Sequence, residues 1–300
     1  MQKLRIISKR SIHSVMNEQR ILKTLKSPFI VNMHFAFQDR ENLYLVLDLK
    51  KAGDLRYQLT KIKKFTEPQL KFFTCCILLA LKYIHSNQII HRDIKPENLV
   101  FDERGYLYIT DFGIAREYKA ENSKDTSGTP GYMAPEVLFR KPHKMTVDYY
   151  ALGVILYELV MSKRPYPGRE RKEIREFMLS KQVKISDPPE GFSKDSADFI
   201  NKLLIRSPEN RLGSKGIAEI FEHPWIKNEN WRMVETKEFK PPFVPSSEDL
   251  FDPKRVSEFK DEIDFSIDLA SVQSMFIGYN YDSRISEGRS SKHRNSLSTF

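Results

Sequence analysis

The chain has only two cysteines in 300 residues, and they are adjacent, Cys75 and Cys76. Neighbouring cysteines are poorly placed to bridge each other and fit no zinc spacing, so a disulfide framework or structural zinc is excluded. No apolar run is long enough to span a bilayer; the longest, residues 149–161, carries Glu158. The first residues, MQKLRIISKRS, are basic but lack the apolar core of a secretory signal. No repeat period is visible. Lys and Arg outnumber Asp and Glu, 49 to 40, for a net charge of +9. That excess is scattered, with no Lys/Arg block and no nucleic-acid signature, so it reads as a solvated basic surface. These absences describe an intracellular, soluble, cytoplasmic protein with no transmembrane segment and no nucleic-acid partner. The chain does have material for a core: 40% of its residues are hydrophobic and 12% aromatic, which excludes wholesale disorder.

Periodicity then divides the chain. Residues 11–26 read as a helix with Val15, Ile21, Leu22 and Leu25 on one face, stopped by Ser27-Pro28. Residues 29–37 and 43–49 read as two strands joined by a turn. Thr66-Glu67-Pro68 opens a helix that runs to His85. Residues 87–135 are loop-rich, and helices are expected again at 148–160, 170–180, 193–204 and 217–221. Near Phe239 the composition turns proline-rich, then acidic, and from Ser283 onward Ser and Arg dominate. The last stretch is expected to be disordered.

The chemistry concentrates in His91-Arg92-Asp93-Ile94-Lys95-Pro96-Glu97-Asn98, followed by Asp111-Phe112-Gly113. Between them, residues 99–101 and 106–109 alternate like a short hairpin around Glu103-Arg104-Gly105. Such a hairpin returns Asn98 and Asp111 to one place. Two carboxylates, an amide and an ammonium would then converge. Oxygen ligands of that kind suit Mg²⁺, which takes one or two protein carboxylates plus phosphate oxygens and water. A lysine beside them suits a transferring phosphoryl group.

With Ala134-Pro135-Glu136 downstream, these segments form the ordered motif set of protein kinases. From about residue 11 to 225 the chain resembles a eukaryotic protein kinase. Gly53-Asp54-Leu55-Arg56-Tyr57, the run Gly128–Glu136 and the tail after Phe239 look like the AGC group, most closely its YANK-type members. The resemblance implies an α+β, bilobal kinase-like fold with an incomplete N-lobe sheet and a mostly helical C-lobe. Residues 1–49 would be a partial N-lobe holding helix C and two strands, and 50–238 the C-lobe. Residues 239–282 would be an AGC-type tail, and 283–300 a disordered end.

It also implies a serine/threonine kinase using ATP and Mg²⁺. Asp93 would accept or orient the substrate hydroxyl proton, Lys95 would contact the γ-phosphate, and Asn98 and Asp111 would hold the metal. Lys95 two residues after Asp93, with Thr129 in the substrate-positioning segment, is the Ser/Thr arrangement. Leu47 stands at the gatekeeper position, the backbone of residues 48–50 (Asp48, Lys50) would bind adenine, and Val100 would form part of its floor. Arg92 could receive an acidic group from the activation segment. Asp125 stands where AGC kinases carry a phosphorylated threonine, with Thr126 beside it, so either Asp125 supplies the ordering charge or Thr126 is the regulated site. Glu136 would pair with Arg211. Asp148 would hold the backbone near His91 and Arg92. Asp54, Glu97 and Glu158 occupy positions that meet substrate arginines in basophilic relatives, which implies protein substrates with arginine upstream of Ser/Thr.

The Gly-rich loop and the strand bearing the phosphate-pairing lysine are absent. Glu18 takes the register of the helix glutamate, and its family lysine would fall ahead of Met1; Lys3 is a poor substitute. The alternatives are a truncated active kinase or a short form acting as a catalytically weak scaffold. Phe276-Ile-Gly-Tyr279-Asn280-Tyr281 resembles the AGC hydrophobic motif, whose aromatics dock beside the Glu-bearing helix, with Asn280 replacing the phosphorylatable residue. A regulatory kinase is an implied partner, and a monomer the implied state.

Overall fold

A computed structural model describes residues 1–62, 64–120, 125–246 and 269–285. It mixes helices with small antiparallel sheets, and the chain falls into two compact units.

The smaller unit comprises Met1–Lys26 and Val31–Leu49, with the described part of Phe251–Phe300. It opens with helix α1 (Lys3–Ser8) and helix α2 (Ile12–Thr24), which buries Val15, Gln19, Ile21 and Leu22. Strands β1 (Met33–Gln38) and β2 (Leu43–Leu47) form a hairpin. Asp39 closes its turn by accepting from the Glu41 and Asn42 amides at 2.8 and 2.6 Å. The Tyr44 hydroxyl also donates to this carboxylate, and these bonds hold the Asp39 pKa down at about 2. A strand at Tyr281–Asp282 adds to the far side of β1, so this sheet has three strands rather than the two legible in the sequence. A bare hairpin is marginal in water, and a third strand with a buried face relieves that. Phe276 and Tyr279, just before that strand, are fully buried. The Lys3 ammonium donates to the Asp39 carbonyl at 2.7 Å and to Gln273 Oε1 at 2.6 Å, which ties the tail to the hairpin turn.

Strand β1 begins at Met33 and not at residue 29. Phe29 and Ile30 belong to the larger unit, where the Ile109 amide donates to the Phe29 carbonyl at 3.0 Å and Ile30 bridges Ile109. Both side chains are essentially inaccessible, and burying them there outweighs extending the hairpin.

The larger unit is Ser27–Ile30 with Lys50–Leu250. Asp54 accepts from the Tyr57 amide at 2.8 Å and starts helix α3 (Leu55–Ile62). Helix α4 (Glu67–Ser86) begins at a capping box in which the Thr66 amide donates to Gln69 Oε1 at 2.9 Å. Cys75 and Cys76 are buried on α4 as free thiols, and burial pushes the Cys76 pKa up to about 12. After the short strand β3 (Ile89–Ile90) comes the hairpin of β4 (Leu99–Phe101) and β5 (Leu107–Ile109), with Leu99 opposite Ile109. Strand β6 (Arg116–Glu117) pairs with β3. Then follow helices α5 (Pro135–Leu138), α6 (Thr146–Met161), α7 (Arg171–Ser180) and α8 (Lys194–Leu203). Helix α6 is buried on nearly every side, as its unbroken apolar sequence requires. Gly153 lets α8 approach, since a Cβ there would lie 2.8 Å from Leu203 Cβ. The aromatic rings of Phe239 and Phe243 pack against Phe72, Phe73 and Phe101, so the proline-rich stretch lies on this unit. Of the terminal segment expected to be disordered, residues 286–300 lie outside the described residues, as does most of the acidic run.

Candidate active site

The β4–β5 hairpin does what the spacing of the motifs predicts. Beyond the Leu99–Ile109 pair, the Thr110 amide donates to the Asn98 carbonyl at 3.0 Å, which brings Asp111 back beside the loop that carries Asp93. Asp111 sits in the left-handed region at φ 64°, solvent-exposed, and accepts from the Gly113 amide at 3.2 Å.

Asp93 is the hub. Its carboxylate accepts from Lys95 Nζ at 2.7 Å, Thr129 Oγ1 at 2.7 Å, the Thr129 amide at 3.0 Å and Asn98 Nδ2 at 3.2 Å. Lys95 Nζ also donates to Thr129 Oγ1 at 3.0 Å. Burial alone would raise the Asp93 pKa. The bonds from Lys95 and Thr129 and the Lys95 charge outweigh it, so the pKa lies below the ordinary aspartate value. The side chain is thus ionised at neutral pH, a proton acceptor held in one orientation. Asn98 makes both of its bonds to Asp93 through the amide nitrogen and neither through the amide oxygen. One amide oxygen and one exposed carboxylate suit Mg²⁺, which fills its shell with water and phosphate. Among the described residues no cluster of three or more His, Cys, Asp or Glu side chains could hold a metal alone.

A buried scaffold fixes this loop. Asp148, 1% exposed, accepts from the amides of His91 and Arg92, both at 2.9 Å, and from His85 Nε2 at 2.8 Å. These bonds stabilise Arg92 in the left-handed region at φ 68°. His91 stands edge-on to Phe112 with ring centroids 5.0 Å apart. Its Nε2 faces the Thr110 carbonyl at 3.1 Å, and its Nδ1 faces the Asp93 amide at 3.3 Å. That pairing requires a neutral ring, and burial lowers the His91 pKa accordingly. Arg92 reaches Asp125 at 3.3 Å, and Arg116 pairs with the same carboxylate oxygen. Thr126 lies next to it, with its carbonyl held by Arg171 at 2.9 Å. Gly128 must be glycine: its φ is 130°, and a Cβ would lie 2.7 Å from the Arg92 carbonyl oxygen.

Glu136 and Arg211 form a two-pronged pair at 2.7 and 2.9 Å, essentially sealed from solvent. The residues expected around adenine are divided between the units. In the smaller one, Leu47 ends β2 opposite Met33, and the Asp48 carboxylate accepts from Asn32 and meets His34 at 2.7 Å. In the larger one, the Lys50 ammonium lies 3.7 Å from the Tyr108 ring centroid, and Val100 pairs with Tyr108 in the hairpin. Glu18 lies half-buried on α2.

The carboxylates expected to meet substrate arginine have partners of their own in the chain. Glu97 and Glu158 are already engaged within the chain: Arg56 donates to Glu97 at 2.9 Å and to the two oxygens of Glu158 at 3.0 and 3.1 Å. Asp54 is spent as the cap of α3, and burial raises its pKa. The sequence reading weighed the acids without the cation two positions after Asp54. Arg56, Arg116 and Tyr132, whose hydroxyl donates to Glu158 at 2.6 Å, are the residues it missed. An arginine two residues from one of these acids, at the start of a helix, was the available signal for the first. Nothing local marks the other two.

Comparison with known proteins agrees with this geometry. The protein kinase domain model matches residues 1–226. A probable serine/threonine-protein kinase of Dictyostelium discoideum is 39% identical over 253 residues, 84% of this chain and 55% of that protein. Serine/threonine-protein kinase sgk-1 of Caenorhabditis elegans is 35% identical over 277 residues, 91% of this chain and 58% of its own length. Human ribosomal protein S6 kinase alpha-2 is 36% identical over 273 residues, 88% of this chain and 37% of that one. The chain therefore spans about half the length of the curated relatives it matches first. The charged hub on Asp93, the hairpin that returns Asp111 to it, and the matched domain place this chain in the protein kinase family, beside serine/threonine kinases of the AGC type.

Proposed function

We propose that the chain transfers the terminal phosphoryl group of ATP to serine or threonine hydroxyls of protein substrates. Kinase domains use ATP and a divalent metal; when bound, these supply the phosphoryl group and part of its charge compensation. The chain's own residues do the rest. Asp93 holds the acceptor hydroxyl and takes its proton at a carboxylate oxygen. Lys95, fixed by Asp93 and Thr129, presents its ammonium to the phosphate. Asn98 and Asp111 offer the metal-binding oxygens. Asp148 orients the loop from behind, and Asp125 supplies a carboxylate that pairs Arg92 and Arg116 without phosphorylation.

One observation carries this reading: four donors converge on an ionised, largely buried Asp93. The test is phosphoryl transfer from labelled ATP to a Ser/Thr peptide mixture, beside Asp93→Asn. The variant is expected to lose roughly 10²–10⁴-fold in rate, the usual worth of a positioned general base. Equal transfer by both proteins, or none by either, overturns the reading and leaves the scaffold alternative.

A further inference from the structure

Two clusters of charge adjoin the segments that carry Asp93 and Thr129, and both argue against a basic substrate. The first is the Arg56 network. Its guanidinium is bonded to Glu97, to both oxygens of Glu158 and to the Tyr132 hydroxyl. Glu97 is two positions beyond Lys95, and Tyr132 three positions beyond Thr129, so this network is built into the segments that hold the catalytic hub. A substrate arginine entering here would meet a guanidinium already seated between the acids. Like charges brought together in a confined site repel, and the carboxylate acceptors facing Arg56 are in use.

The second cluster adjoins Gly131, the residue before Tyr132. Gly131 faces Arg164 so closely that a Cβ would collide with the guanidinium. Arg164 lines a cavity of about 960 Å³ between the end of α6 and α7, together with Lys163, Arg169, Lys181 and Lys184. Glu173 is the one carboxylate in that lining, and it accepts from the Arg169 amide at 2.8 Å and, in the α7 capping box, from the Glu170 amide at 3.4 Å. Among the described residues no ion pair engages Lys163, Arg164, Lys181 or Lys184, and all four are exposed. Tyr157, Tyr166 and Phe177 give the cavity an apolar wall against which a peptide backbone can lie. Uncompensated cations around a concave surface attract anions and raise their local concentration.

We propose that this kinase selects acidic substrate segments: Asp or Glu side chains flanking the phosphoacceptor enter the cationic cavity beside Gly131, while Arg56 closes the Glu97–Glu158 pair to substrate arginine. The inference rests on the kinase reading above and names its substrate class. Lys163 and Arg164 select by attraction, and Arg56 by exclusion; specificity commonly uses both.

The experiment has two arms on the full chain. In the first, peptides with a central serine and flanking Glu, Ala or Arg are phosphorylated by the wild type, by K163E/R164E and by Arg56→Leu. The wild type should prefer Glu over Arg peptides by at least about tenfold in kcat/KM, the scale of one charge-assisted contact. K163E/R164E should erase or invert that ratio, and Arg56→Leu should raise use of Arg peptides. Thermal melting checks that each variant folds. In the second arm, binding of fluorescent Glu and Arg peptides is measured by anisotropy without nucleotide, so it does not depend on transfer. Tighter binding of the Glu peptide, lost in K163E/R164E, supports the proposal even if no phosphate is transferred, in which case only the kinase reading fails. A wild type that transfers phosphate but favours Arg peptides, or one that binds both peptides equally, overturns the proposal. A preference for phosphoserine-bearing over Glu-bearing peptides in both arms would likewise overturn the assignment to Asp and Glu.

Discussion

Asp93–Lys95 and Glu136–Arg211 are the same chemistry at two places in one unit, and they differ in what surrounds them. The Glu136–Arg211 fork has side-chain exposures of 3% and 0%, and Arg211 spends its remaining donors on the carbonyls of Thr146, Ile205 and Arg206. Every polar atom there has a partner inside the chain, so the pair can only hold structure. Asp93 and Lys95 retain 11% and 21% exposure, and their other partners are a hydroxyl, an amide and a backbone N–H. That site keeps a mouth to solvent and a proton acceptor of fixed charge. Openness to solvent, rather than the ion pair itself, separates a chemical site from a structural one.

The sharpest way to break this comparison is to remove one partner from the closed pair. Arg211→Ala leaves Glu136 buried and unpaired, which is expected to cost roughly 3–5 kcal/mol of stability. Urea denaturation should show the midpoint fall at nearly constant slope. If the variant instead unfolds like the wild type but has lost transfer, the fork is part of the chemistry and the distinction fails.

Asp125 lies between the two cases, half-exposed and shared by Arg92 and Arg116. Arg92 itself is 6% exposed, with the Ile114 carbonyl as another partner at 2.7 Å. Asp125→Ala strands two guanidinium groups, and a charged hydrogen bond is worth about 1.5–3 kcal/mol. Transfer should fall about tenfold or more, and phosphatase treatment of the wild type should change nothing. Activity abolished by phosphatase would move the ordering charge to a phosphate on the neighbouring Thr126.

Legibility in the sequence follows the range of the interactions. The hub is compressed into residues 91–98 and a hairpin whose alternation is local, so spacing alone returned Asp111 to Asn98. Helices α4, α6 and α8 were legible because capping residues and unbroken apolar faces are also local signals. What failed was long-range. Arg56 lies 102 positions from Glu158, and no pattern in either neighbourhood announces the pair. The short helix α1 has no acidic first turn and no capping side chain, and it is tied down by the bonds from Lys3 to Asp39 and Gln273. The third strand of the small sheet comes from Tyr281–Asp282, whose partner Ala36 is nearly the whole chain away. Phe29 and Ile30 read as strand from composition, yet pair with Ile109 for the sake of burial.

The smallest effect concerns protons rather than side chains. His91, His143 and His223 all have pKa values lowered, in each case chiefly by burial. An unfolded histidine titrates near 6.5, so below that pH the unfolded chain binds more protons than the folded one, and stability must fall as pH falls. Asp93 and Asp148 have lowered values too: burial raises them, but the hydrogen bonds they accept prevail. Their contribution is intact until the pH approaches the ordinary aspartate value and is lost below it. Acid destabilisation should therefore come in two windows, one below about pH 6.5 from the histidines and a second below about pH 4 from the carboxylates. Melting temperatures measured from about pH 7.5 to 5.5 should decline, and His143→Gln should flatten that decline, since an amide has no proton to gain in this range. A wild-type curve that is level down to about pH 5 would mean the buried rings accept protons without cost, and the neutral His91 that receives the Asp93 amide would have to be reconsidered.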